Sequence, residues 1–318
     1  MLRDIRQGHD QVEAIASVVR HIDPDVLVLA DIDYDLQNAG LQALADHIGG
    51  YPYLFSRRPN RGLDSQRDLN GDDRLGGPKD VESYAEFFGQ GGMGVLSKRR
   101  LDLDHFRDFS DMPWATLPGN IALQDGRDPT RLSRTVHWDL PLRLADDRRL
   151  HLLIWHATAP VFDGPEDRNG RRNHDETAFW LSFFDGALAA DPPPGFVLLG
   201  VTNADPFDGE SRPQALRRLL QHPKVHDPKP SSEGARAAGD PDHRGPPELD
   251  TVDWPSGTDR PGNLRVDYVL PSSNLTVENA GVVWPLDGMP LSDDVRLASR
   301  HRLVWVDIYL PKLATTEN

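Results

Sequence analysis

FVLLGVTNADP, residues 196–206, is the stretch from which the rest of the chain is best read. Phe196 to Leu199 is a continuous apolar run, the pattern of a strand buried on both faces. Polar residues follow at once, with Asn203 and Asp205 just beyond Val201. The same design recurs along the chain. LADIDYD at 29–35 closes the apolar run Val26 to Leu29, and WHATAP at 155–160 closes another. RVDYVL at 265–270 pairs in kind with SRHRLVWVD at 299–307. Open α/β sheets place ligands in the crevice beyond their strand ends, so these segments are where a site is sought.

Helical patterns lie between the strands. Val12, Ile15, Val19 and Ile22 fall at helical spacing over residues 10–22, and Asp23-Pro24 ends that helix. A second short helix is expected at 41–48, before Gly49-Gly50. Gly94 to Ser97 reads as a strand entered from the glycine-rich GQGG at 89–92. Strands are expected around 133–144 and 149–156, with a turn at Ala145-Asp146-Asp147. A charged loop at 163–175 then leads to a helix near 175–189, and another helix covers Pro213 to Leu220. Strands near 264–270, 281–284 and 302–310 close the chain, and long loops are expected at about 56–80 and 228–262. Alternating strands and helices without a repeat predict a layered α/β domain, here one domain over residues 1–318.

Composition narrows the chemistry. With 35 Lys+Arg against 50 Asp+Glu the formal charge is -15, which repels a phosphate backbone and argues against tight binding of duplex DNA. The absence of cysteine excludes disulfides, thiolate zinc sites and Cys nucleophiles. Met1 is followed by LRDIRQGHDQ, which carries no apolar core of a signal peptide, and no apolar run has the length of a membrane span. A soluble protein is expected; composition does not choose between cytoplasm and export, and oligomeric state is not legible.

Taken in order, LADIDYD, GQGGMGVLSKRRL at 89–101, WHATAP, LGVTNADP, RVDYVL and SRHRLVWVD resemble the endonuclease/exonuclease/phosphatase superfamily over nearly the whole chain. The resemblance implies a DNase I-like fold, a four-layer α/β-sandwich of two packed mixed β-sheets flanked by helices. It implies a metal-dependent phosphodiesterase or phosphatase, with a phosphate ester as substrate and Mg²⁺ or Mn²⁺ as cofactor. On the family's pattern Asp31 would hold the metal, with Asp33 two residues on along the same strand face. His156 would contact the scissile phosphate, Asn203 would position it, and His301 backed by Asp267 would form the Asp-His dyad. Tyr268 and Arg300 are placed at the substrate by the same matching, and Arg172 and Asn173 are further candidates to grip it from the 162–176 stretch.

The pattern also departs from the family. The family's Asp-x-Asn falls at Val201 and Asn203, and valine cannot accept a proton; its terminal Asp-His pair falls at Arg300 and His301. Residues from Met1 onward read as the loop after the family's first strand, so that strand and its Asn are expected to be missing here. Catalysis is therefore expected to be impaired, and the alternative is a non-catalytic member that binds a phosphorylated ligand or a protein partner. Separately, DLNGDDRLGGPKD at 68–80 resembles the opening of a calcium loop, with Asp68, Asn70 and Asp72 at ligand positions and a structural Ca²⁺ as the ion.

Overall fold

The computed structural model describes residues 1–69, 71–122, 130–144, 148–258 and 260–310. Asn70 and the turn expected at 145–147 lie outside the described residues. Helices α1 (Leu2–Arg6) and α2 (Asp10–Ile22) lead into strand β1 (Val26–Ile32), helix α3 (Ala39–Ile48) and strands β2 (Tyr53–Phe55) and β3 (Gly92–Ser97). Strands β4 (Arg107–Asp108), β5 (His137–Arg143) and β6 (Arg149–His156) precede helix α4 (Arg168–Phe184), strand β7 (Phe196–Val201) and helices α5 (Gln214–Leu220) and α6 (Glu233–Ala237). Strands β8 (Asp267–Pro271) and β9 (Thr276–Val282), helix α7 (Ser292–Ala298) and strand β10 (Val304–Tyr309) complete the order.

A mixed sheet runs β4-β5-β6-β7-β8, in which β6 and β7 are parallel and the other neighbours antiparallel. A second layer holds the antiparallel sheet β1-β3-β2 and the antiparallel pair β10-β9. Alternation along the strands decides what each layer buries. On β1, Val26 and Val28 pack toward Trp138, Leu140 and Leu152 of the five-stranded sheet, while Leu27 and Leu29 turn to Val12, Leu41 and Leu44 of α2 and α3. On β6 and β7, Leu153, Trp155, Phe196 and Leu198 face the other way, onto Phe179, Trp180 and Phe183 of α4 and Leu216 of α5. Helices, sheet, sheet and helices thus stack as four layers. No helix among the described residues is long and apolar enough to cross a membrane.

The expected helix near 175–189 is displaced: the chain is helical from Arg168, inside the stretch read as a charged loop. Its polar residues are hidden rather than solvated. Arg172, Asn173, Asp175 and Glu176 are all buried, bonded to loops that cross above α4. The long loop at 228–262 contains α6, whose Ser232 hydroxyl accepts from the Ala235 amide at 3.1 Å as an N-cap.

Candidate active site

The ends of β6, β7 and β8 set three side chains in one row. His156 pairs with Val201 across the parallel ladder, and Val201 pairs with Asp267 across the antiparallel one. Directly opposed residues share a face of the sheet. This row, with Asp31 and His301, lines one end of a cavity of about 1790 Å³.

His301 and Asp267 form the dyad expected from the sequence. The His301 Nδ1 lies 3.0 Å from both carboxylate oxygens of Asp267. Asp267 is itself held: the Thr251 hydroxyl donates to its Oδ2 at 2.8 Å, and the same hydroxyl accepts from the backbone amides of Val266 and Asp267. Trp254 meets the His301 ring edge-on, with centroids 5.6 Å apart. Burial disfavours the imidazolium, but the Asp267 charge and hydrogen bond outweigh it and raise the His301 pKa above 6.5.

Asp31 owes its aim to a backbone irregularity. The β1–β3 register shifts between Ala30 and Ile32, so Asp31 has no ladder partner, and its φ is 56°. A bulge of this kind re-aims a side chain. Its Oδ1 pairs with Arg61 Nη1 at 2.6 Å. A Cβ on Gly91 would stand 2.0 Å from that Arg61 nitrogen and 2.7 Å from the Asp31 oxygen, so only glycine leaves room for the pair. Partial desolvation pushes the Asp31 carboxyl up, but the positive charges of Arg61 and Arg134 prevail and hold it below the ordinary value. Asp33 is used differently, accepting from the Gly91 amide at 3.0 Å.

His156 is 3% exposed, and its Nδ1 is buried with no hydrogen-bond partner. Burial, with the guanidinium groups of Arg134 and Arg61 adding to it against Asp31, pushes its pKa down to about 3. It is therefore neutral at physiological pH. His137 is a second buried neutral histidine, pushed down to about 4 chiefly by burial. Its Nε2 donates to the Glu176 carbonyl at 2.9 Å, which leaves Nδ1 to accept from the Ser133 hydroxyl. Both rings take a proton near 6.5 when unfolded but resist it when folded, so below pH 6.5 the unfolded chain binds more protons. Stability is expected to fall as pH drops from 6.5 toward 4, and His137→Gln, which can keep both hydrogen bonds, is expected to flatten that loss in urea midpoints.

Two cations that sequence reading did not single out stand beside Asp31. Arg61 comes from the 56–80 loop and Arg134 from the approach to β5. Arg134 Nη1 reaches the Ala157 carbonyl at 3.4 Å, and burial, with Arg61 nearby, lowers its pKa to about 10. No local pattern marks either; only the fold brings them to Asp31.

Arg172, Asn173 and Tyr268, expected at the substrate, are instead bonded into the scaffold. Arg172 is 2% exposed and donates to the carbonyls of Leu132, Glu82, Arg131 and Ser133. The buried Asn173 amide donates to Thr158 and Thr202 carbonyls, each at 2.7 Å. Tyr268 is buried, its hydroxyl donating to the Arg265 carbonyl at 3.0 Å beneath the Arg265 guanidinium. Asn203 stands at the strand end with φ 51°, its Nδ2 donating to the Ala157 carbonyl at 2.9 Å. Arg300 is exposed next to the dyad in sequence and does not line the cavity. In the 68–80 loop, the Asp68 carboxylate accepts from the amides of Gly71, Asp72 and Asp73, and Asp72 accepts from Arg74. Asp80 accepts from the amides of Leu69 and Gly77. These carboxylates close the loop on its own backbone.

Among the described residues, no group of three or more His, Cys, Asp or Glu side chains converges to hold a metal ion. The described residues thus form no protein cage. An open Mg²⁺ site asks for less, one or two carboxylates with the rest of the shell from water and substrate oxygens, and Asp31 at the cavity fits that requirement once Arg61 releases it.

Comparison with known proteins places the chain by family and fold. The sequence profile described as the Endonuclease/Exonuclease/phosphatase family matches residues 2–301. No curated protein matches the chain in sequence. Among solved structures, an endonuclease/exonuclease/phosphatase from Beutenbergia cavernae DSM 12333 is 17% identical, with 94% of this chain and 66% of that one covered and a TM-score of 0.57. The human Nocturnin catalytic domain with bound sulfate anion is 14% identical, with 94% and 87% covered and a TM-score of 0.51. The chain therefore spans just under two thirds of the length of the first and most of the second.

Proposed function

Since the chain belongs to the endonuclease/exonuclease/phosphatase family, whose members are generally hydrolases of phosphate esters and generally use divalent metals, we propose that it hydrolyses a phosphate ester with one Mg²⁺ or Mn²⁺ held by Asp31. The observation that carries this reading is the Asp267–His301 dyad at the same cavity end as Asp31 and His156. A bound ion there would supply Lewis-acid stabilisation of the phosphoryl oxygens. The rest falls to the chain. His301, oriented by Asp267, takes the proton of the attacking water through its other ring nitrogen. Neutral His156 has an unspent ring nitrogen for a phosphoryl oxygen, and Arg61 and Arg134 offset the phosphate charge. Asn203 is the further candidate for positioning the phosphate. Val201 contributes no proton acceptor to the row, so water activation rests on His301 alone.

The test is hydrolysis of bis(p-nitrophenyl) phosphate with and without Mg²⁺ or Mn²⁺, beside direct Mn²⁺ binding followed by electron paramagnetic resonance. Metal-stimulated turnover and Mn²⁺ binding that Asp31→Ala removes are expected. A second reading is favoured by Val201 and by the Arg61–Asp31 ion pair, which already neutralises the carboxylate proposed to hold the metal. In that reading the chain binds a phosphorylated ligand or protein partner without turning it over. Turnover only in Val201→Asp would support it as a scaffold disabled at one position, whereas turnover in the unaltered chain rules it out.

A further inference from the structure

Asp31 is already engaged in this chain by a cation of the chain's own. Arg61 Nη1 sits on its Oδ1 at 2.6 Å and reaches the Gly91 carbonyl at 3.3 Å. The seat is built for it: the bulge in β1 aims the carboxylate, and the bare Cα of Gly91 leaves the guanidinium its room. A guanidinium does not shed its proton in a protein, so this cap leaves only by moving. The backbone under it is pinned. The Asn60 amide donates to the Thr135 carbonyl at 3.0 Å, the Gly62 amide to Ser83 at 2.9 Å, and the Gly89 amide to the Arg61 carbonyl at 3.2 Å. Any exchange therefore falls to the Arg61 side chain.

Two nitrogens beside this pair still have bonds to make. Arg61 Nε and His156 Nδ1 are both buried with no hydrogen-bond partner among the described residues, and His156 is 3% exposed. Arg134 stands close enough for its charge to act on Asp31, His156 and Arg61. Unpaired buried nitrogens among guanidinium groups suit the oxygens of an anion.

We propose that Arg61 is an exchangeable cap: a phosphate group entering the site draws Arg61 off Asp31 and so opens that carboxylate to the metal. The inference rests on the hydrolase reading above, in which Asp31 takes the ion, and it adds the order in which the site fills. Charge carries the argument. A dication arriving alone has to displace a guanidinium from its carboxylate and then share that carboxylate's surroundings with Arg61 and Arg134. When a phosphate arrives as well, Arg61 exchanges one oxyanion for another, and its planar fork suits either. Each ligand thus binds weakly without the other, and by linkage the factor that the anion adds to metal affinity equals the factor that the metal adds to anion affinity. The chain takes up its ion with substrate rather than ahead of it.

The experiment is Mn²⁺ titration of the full chain, read from the electron paramagnetic resonance signal of the free ion. It is run with and without saturating phenylphosphonate, an analogue that lacks a scissile ester bond, and with protein-free controls for the Mn²⁺–phosphonate complex. In the unaltered chain the anion is expected to tighten Mn²⁺ binding at least about fivefold, the lower end of ordinary coupling between sites. Arg61→Gln, which removes the charge, is expected to bind Mn²⁺ about fivefold or more tightly than the unaltered chain with no anion present, and to respond less to the anion. Arg61→Lys, which keeps the charge and loses the fork, is expected to fall between them, and it carries the test if the glutamine variant fails to fold. Equal Mn²⁺ affinity in all three chains overturns the proposal whatever the anion does, since direct contact between metal and phosphonate would then account for the coupling. An unaltered chain in which phenylphosphonate leaves Mn²⁺ affinity unmoved overturns it too. Both of these results leave the hydrolase reading standing, whereas Mn²⁺ binding to none of the chains, with the anion or without it, removes the cap and the metal-dependent reading together.

Discussion

Replacing His301 with alanine is expected to lower phosphodiester hydrolysis by about 10²- to 10⁴-fold, the range lost with a general base. The effect is large because no second group stands ready. Val201 occupies the row position between His156 and Asp267, where a carboxylate could have shared the work. His156 is neutral to about pH 3 and buried, suited to a hydrogen bond rather than to cycling a proton. A base must be unprotonated to act, so kcat/KM is expected to climb with pH through the His301 titration, above 6.5. Asp267→Asn removes the charge that raises that value, and the midpoint is expected to move to lower pH. If Asp267 only braced the loop, the rate would drop with the midpoint unmoved. A His301→Ala enzyme within about tenfold of the original would mean that the dyad is not the base.

Arg172→Ala is expected to cost about 3–5 kcal/mol of stability, the scale for leaving a buried ionic or hydrogen-bonded site half-empty. Its guanidinium ties together the carbonyls of Glu82, Arg131, Leu132 and Ser133, which belong to segments with little regular structure of their own. Those segments run into Arg134 and β5, so the loss should spread toward the site. Urea unfolding distinguishes this role from a substrate contact: a fall in midpoint with KM nearly unchanged in the molecules that remain folded is the expected result. Arg172→Lys should be only a partial remedy, because a single ammonium cannot reproduce the planar fork.

Range decides which features the sequence disclosed and which it withheld. Val12, Ile15 and Val19 announced α2 because helical spacing is a local signal, and FVLL announced β7 for the same reason. Ordered strand-end motifs disclosed the family, and with it Asp31, His156, Asp267 and His301 at one cavity end. Thr251, Arg61 and Arg134 were invisible because their roles exist only across tertiary contacts. Arg172 and Asn173 were misread for a related reason. A polar run usually marks a solvated loop, and here backbone carbonyls from distant segments satisfy it inside the fold. Asp31 and Asp33, two residues apart, looked interchangeable; the bulge separated them, sending one to the cavity and the other to the Gly91 amide.

The parallel β6–β7 pair has a consequence for how the molecule reaches its working state. Helices form from neighbouring residues on a microsecond scale, whereas a parallel ladder waits for its crossover, here through α4, to close. His156 and Val201 come level only when that ladder closes in register, and Asp267 completes the row through the register of β8. A slip of one residue would turn His156 to the opposite face while leaving helices and collapse intact. Such a molecule would be compact, helical and inert. On the proposed function, specific activity after refolding is expected to report the share of chains in correct register, a quantity to which helical circular dichroism is blind.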